Sequence, residues 1–194
     1  VTQSEEIGKF GEKITEDMIR NFGWLPIPSP GERHLIDGFA SRLKASPRRG
    51  ETIAYEVKTY ARRRWRADTG INREHFYAYS DFVKNSGIRL WMTWVCWPTG
   101  QVYGNFFDVL APLANHEFPI QDRGELKTYF PLTMMWPMAY LTRYQATWLK
   151  DKSRSRQEYP DEWFHAPISM MTACPIEERE ASVPFFDQSR AVAR

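Results

Sequence analysis

Cysteine is scarce in this chain of 194 residues. Cys96 and Cys174 stand far apart and match neither a zinc-ligand nor a redox spacing. No apolar run approaches the roughly 18 residues that a membrane-spanning helix needs, so no segment reads as a span. No leader is visible at the N-terminus, and the initial Val1 leaves room for native residues ahead of it. Internal repeats and low-complexity blocks are absent as well. Together these absences lead us to expect a soluble protein of a reducing, cytoplasmic setting. Net charge is also small, only +2, which excludes a chain that coats nucleic acid by being basic throughout.

What the chain does contain is aromatic residues and one concentrated basic segment. Eight Trp, nine Tyr and twelve Phe can fill a core, stack on bases or line a subunit interface, and composition does not choose among these. Hydrophobic residues at 42% and charged residues at 26% are ordinary globular values, sufficient for one domain plus an extension. Between Arg42 and Arg66, nine basic residues face only Glu51 and Glu56, a local charge of +7 that leaves −5 for the rest. They are Arg42, Lys44, Arg48, Arg49, Lys58, Arg62, Arg63, Arg64 and Arg66. A patch of this kind is the footprint of a polyanion-binding surface.

Along the chain, Thr2 to Glu5 has capping-box spacing, and Ile7, Phe10, Ile14 and Met18 follow at helical intervals until Gly23. Gly8 and Gly11 would let another backbone approach this helix. Residues 24–28 read as extended, and Pro28-Ser29-Pro30-Gly31 as a turn. Residues 33–40 read as a strand with His34, Ile36, Gly38 and Ala40 opposite Leu35, Asp37 and Phe39. In the strand expected over 51–60, Ile53, Tyr55, Val57 and Thr59 share one face and Ala54, Glu56, Lys58 and Tyr60 the other. A basic loop, a helix over 72–85 with Phe76, Tyr79 and Val83 buried, and a doubly apolar strand over 88–97 come next. Pro98-Thr99-Gly100 turns into a hairpin partner over 101–107, followed by a short helix or turn to Leu113. A strand is expected over 127–135, and a helix opens at Thr142 carrying Tyr144, Trp148 and Leu149. Residues 1–152 thus form an α/β/α sandwich around a small mixed sheet, with 153–194 an extended C-terminal tail.

The residues that carry chemistry are Asp37 and the triplet Glu56-Val57-Lys58. Residues two apart on a strand point the same way, so Glu56 and Lys58 project together. If the strand bearing Asp37 pairs with this one, the two carboxylates can share a cation. Mg²⁺, with Mn²⁺ as a substitute, takes carboxylate, carbonyl and water oxygens, and Asp37, Glu56 and the Val57 carbonyl supply that set. Such an ion lowers the pKa of bound water and polarises a phosphate, and a neighbouring lysine orients the attacking water or stabilises developing charge. A lone Glu-x-Lys pair would equally suit a surface ladder on a half-exposed strand.

Gly8-Lys9-Phe10-Gly11-Glu12, Ile36-Asp37-Gly38 and Tyr55-Glu56-Val57-Lys58 occur here in order, followed by the helix from Asn72. This arrangement over residues 5–100 resembles the PD-(D/E)xK nucleases, and among them the archaeal-type Holliday junction resolvases. The resemblance implies a restriction-endonuclease-like fold with Asp37 and Glu56 as metal ligands, Lys58 as catalytic lysine and Glu12 completing the site. It also implies a homodimer acting on DNA. Ile36 stands where the family motif has proline, and Glu12 lies far from the apolar stripe of its helix, so its role rests on the resemblance alone. Arg42, Lys44, Arg48, Arg49 and Arg62 to Arg66, with Trp65 among them, are candidates for holding DNA; a solvated basic loop is their plainer reading. His34 and His75 read as structural or surface residues, and Trp91, Trp94 and Trp97 as core. The expected activity is an endodeoxyribonuclease, with branched DNA the first substrate to test and duplex cleavage of restriction or repair type the nearest alternative. A DNA-binding or assembly module without turnover is the reading from a different class.

Overall fold

The computed structural model describes residues 2–29, 34–42, 51–60, 68–116 and 126–153. Helix α1 (Gln3–Asn21) starts as its sequence predicts. The Thr2 hydroxyl accepts from the Glu5 N–H at 3.3 Å while the Glu5 carboxylate accepts from the Thr2 N–H at 2.5 Å. It ends at Gly23, whose φ of 81° suits a residue without a Cβ. Strands β1 (Trp24–Pro28), β2 (Gly38–Arg42) and β3 (Thr52–Thr59) form an antiparallel succession. Then come β4 (Asp68–Asn72), α2 (Arg73–Ser86), β5 (Leu90–Cys96), β6 (Gln101–Phe106), α3 (Phe107–Leu110) and β7 (Asn115–His116). The described part closes with β8 (Lys127–Pro131), β9 (Trp136–Tyr140) and α4 (Arg143–Ser153).

The main sheet has the order β1-β2-β3-β5-β6-β9, and β3–β5 is its parallel pair. A parallel neighbour requires a crossover, which β4 and α2 provide. The layered α/β arrangement is therefore present, with a mixed sheet larger than expected. Ile53, Tyr55 and Val57 pack with Ile14, Met18 and Leu149 of α1 and α4 on one face. Ala54, Met92 and Trp94 pack with Phe76, Tyr79 and Leu110 of α2 and α3 on the other. Trp91 and Trp94 of β5, which is covered on both faces, and Trp97 in the turn after it are all buried in these two clusters.

A second sheet, β4-β8-β7, leans on the α2 side through Ile71 and Phe130. Its first strand escaped sequence reading because Asp-Thr-Gly-Ile-Asn is poor in strand-forming residues. The strand expected over 127–135 stops at Pro131; residues 132–134 turn, and the chain re-enters the main sheet as β9.

The apolar stripe of α1 faces two neighbours at once. Phe10 meets Trp148 of α4 with ring centroids 4.2 Å apart, and Lys152 reaches Glu6 at 2.8 Å. The sheet is met instead by a side containing Gly11, Thr15, Met18 and Ile19. Gly11 lies directly on β3: a Cβ there would come 1.7 Å from the Thr59 hydroxyl oxygen and 2.9 Å from its Cβ. Gly11→Ala should therefore cost about 1–3 kcal/mol in denaturant unfolding, as overpacking does. Adding Thr59→Ala should recover part of that loss; no recovery would mean that this contact is not the close one.

Candidate active site

Asp37 does not lie within a strand. β2 begins one residue later, and residues 35–37 form a bend, so the alternation expected over 33–40 fails. Ile36 enters the α2-side core while Ala40 enters the α1-side core. His34, with Asp37 ahead of the strand, is exposed and not opposed to it across a sheet; residues 30–33 lie outside the described residues.

The bend has a local cause. The last β2–β3 pair is Gly38 with Tyr55, so Val57 lies beyond the end of β2. The Asp37 N–H donates to the Tyr55 carbonyl at 3.2 Å, and the Ser29 N–H donates to the Asp37 carbonyl at 2.9 Å. Its carboxylate Oδ2 then accepts the Val57 N–H at 2.6 Å. Asp37 thus stands in for the strand partner that Val57 lacks. Alternate residues of a strand turn their N–H and C=O to opposite neighbours, so the Val57 carbonyl faces the same edge as Asp37.

Glu56 is 5% exposed on the α2 face of β3. Its Oε1 accepts from the Lys58 ammonium and, at 2.7 Å, from the Tyr79 hydroxyl. The ammonium also lies 5.8 Å from the centre of the Tyr79 ring. Tyr79 was legible in the sequence only as part of the buried stripe of α2; nothing in its spacing marked it as a ligand of Glu56. Burial and the Glu56 charge push its hydroxyl well above the ordinary tyrosine range, so it remains a donor.

The Asp37 carboxyl is pushed up to about 7, first by burial and then by the negative charge of Glu56. The Val57 N–H and Lys58 pull the other way without overcoming them. Glu12 is half-buried at the rim of α1, and its carboxyl is raised by burial and next by Asp37. Asp37 is thus tied to the Val57 N–H and Lys58 to Glu56, while Glu12 lies near enough to feel the charges of Asp37 and Lys58. The stripe of Ile7, Phe10, Ile14 and Met18 misplaces Glu12 because half of it faces α4. Measured from the sheet-facing side, Glu12 is only ~75° away at 100° per residue.

Arg42 stands at the other end of β2, roughly 16 Å from Asp37 at the usual rise per residue. There its guanidinium covers the Trp24 ring at 5.0 Å. Lys44, Arg48, Arg49, Arg62, Arg63, Arg64, Trp65 and Arg66 lie outside the described residues, as does the tail from 154 onward. His75 is exposed, its ring 5.9 Å from that of Tyr79.

Among the described residues, no group of three or more His, Cys, Asp or Glu side chains has metal-holding spacing. The groups that could serve a metal here are two carboxylates, Asp37 and Glu56, and the Val57 main-chain carbonyl, all hard oxygen ligands. Mg²⁺ commonly takes one or two carboxylates and keeps several waters, so the set fits it. The raised Asp37 carboxyl reflects burial first and the Glu56 charge second, and a cation bound there would offset both.

No protein-family model matches the chain, and no curated protein does. Among solved structures, it is similar to the Holliday junction resolvase Hjc of the archaeal hyperthermophile Archaeoglobus fulgidus. The TM-score is 0.43 at 13% sequence identity, over 66% of this chain and 85% of that one. Among the described residues, no helix is long and apolar enough to cross a membrane.

Proposed function

We propose that this protein is a divalent-cation-dependent DNA endonuclease, with Asp37, Glu56 and the Val57 carbonyl holding Mg²⁺ or Mn²⁺. The observation that carries the reading is the crowding of Asp37 and Glu56 beside Lys58 at the frayed edge of β3. The cation, when bound, supplies Lewis acidity to a phosphate and acidity to water. Asp37 and Glu56 present their oxygens to it with orientations set by the Val57 N–H and the Tyr79 hydroxyl. Lys58, held on Glu56, is placed to orient a water or to offset charge on the phosphate. Glu12, at the rim, would accept a hydrogen bond from a water of this site.

A cleavage panel tests this: four-way junction, linear duplex, single strand and supercoiled plasmid, with Mg²⁺ or Mn²⁺, against Lys58→Ala. Cutting that needs the cation and falls about 10²- to 10³-fold in the variant is expected from loss of one charge-stabilising group. Selectivity for the junction would make the enzyme resolvase-like, and cutting of plain duplex would place it with restriction or repair enzymes. Absence of cleavage on every substrate, with DNA binding retained, would overturn the enzymatic reading.

A further inference from the structure

Beside Lys58 a cleft opens between β3 and the second sheet. Its volume is about 370 Å³, and Lys58, Tyr60, Asn72, His75, Lys127 and Tyr129 contribute to its lining with the backbone around Gly70. Among the described residues, no carboxylate lines it. This cleft is built by the sheet that sequence reading did not foresee.

Strand register explains its lining. In the antiparallel β4–β8 pair, Asn72 lies opposite Lys127 and Gly70 opposite Tyr129, so these four share one face. Thr128 and Phe130 take the other face and are fully buried, Phe130 in the α2-side core. The Lys127 ammonium is held by the Asn72 side-chain oxygen at the start of α2. Gly70 leaves room for the Tyr129 ring: a Cβ there would come 2.7 Å from Tyr129 Cδ1 and 2.6 Å from the Thr128 carbonyl oxygen. The ring is thereby laid along the sheet, half-buried, with Lys127 beside it. His75 stands one turn into α2 and touches Tyr79, which donates to Glu56.

Two ammonium groups, an imidazole and two phenol rings around a space of this size suit one nucleotide of a DNA strand. Phosphate oxygens match the cations, and a base face matches a tyrosine ring. A stacked base pair has no access to such a chamber, because both faces of each base are already covered by neighbours in the duplex. We infer that this cleft binds a single unpaired nucleotide next to the scissile phosphate, so that the enzyme prefers DNA with unpaired residues at the cut. The inference rests on the nuclease reading for its link to cleavage, but binding in the cleft is separable from it.

The test measures binding by fluorescence anisotropy in EDTA, where no cutting occurs, for a single strand, a splayed-arm DNA and a blunt duplex of equal length. Wild-type protein is expected to bind the first two about tenfold more tightly than the duplex, the scale of one base stacked on an aromatic ring. Tyr129→Leu with Lys127→Gln should bring the three within about twofold of one another, while Tyr129→Phe keeps the preference. Circular dichroism and thermal unfolding identify any variant that fails to fold, in which case each single substitution is read instead. Equal wild-type affinity for all three DNAs, or a preference that survives in folded Tyr129→Leu/Lys127→Gln, would overturn the inference. Lys58-dependent cleavage would stand in that event. Conversely, a Tyr129-dependent preference without any cleavage would leave the cleft and remove the nuclease.

Discussion

Glu56→Gln is expected to lower cation-dependent cleavage by at least about 10³-fold and to destabilise the fold by about 3 kcal/mol. Both effects arise from one buried oxygen pair. Glu56 is 5% exposed, and one carboxylate oxygen serves Lys58 and Tyr79 together. Removing its charge removes one of the two anionic donors proposed for the cation. It also leaves the Lys58 ammonium, 17% exposed as a side chain, without its counter-charge. Breaking a buried pair from one side costs about 3–5 kcal/mol. A double variant, Glu56→Gln with Lys58→Met, removes both charges and should regain most of the stability while remaining inactive. Denaturant midpoints and cleavage rates on the same preparations separate the two effects. If the double variant is as unstable as the single, the pair is not what links Glu56 to stability.

Asp37→Asn should abolish cleavage by a similar factor yet make the cation-free protein more stable at pH 8. The sign follows from proton binding. Asp37 has its carboxyl raised from 3.8 to about 7, so the folded state holds a proton that the unfolded chain has lost. Stability from this group is fully present below about pH 4, declines as pH rises, and is gone above about 7. At about 1.4 kcal/mol per pH unit the ceiling is about 4 kcal/mol. Asparagine stays neutral and its oxygen can still accept the Val57 N–H, so the variant should lose this share of the pH dependence over that window. Mg²⁺ should raise the unfolding temperature of wild type at pH 8, less at pH 6 where protons compete for Asp37, and not that of the variant. A wild-type stability independent of pH between 5 and 8 would show that Asp37 is not crowded as described.

These two effects have opposite signs for a physical reason. Paired carboxylates with too little compensating charge are poor for a fold and good for a cation. That cost falls where β2 stops short of the end of β3, whereas most side chains on both faces of the main sheet are packed and apolar.

Much of this was legible without coordinates. The cap at Thr2 and Glu5, the alternation along β3, the hairpin at Gly100 and the burial of Trp91, Trp94 and Trp97 follow from local preference and period. So does the adjacency of Glu56 and Lys58, which needs only two residues on one strand. The place of Asp37 did not follow, because a side chain that bonds a strand's unpaired N–H breaks the alternation by which strands are read. Glu12 was misplaced because a stripe shared between a sheet and a helix has no single centre. The second sheet was invisible because Gly70 and its polar neighbours gain their strand from partners about sixty residues away, not from their own propensity. Sequence alone determined which strand carries the acidic and basic pair. Only tertiary packing decided what meets it, since Tyr79, Asp37 and the Lys127–Tyr129 cleft arrive on separate elements held by long-range contacts.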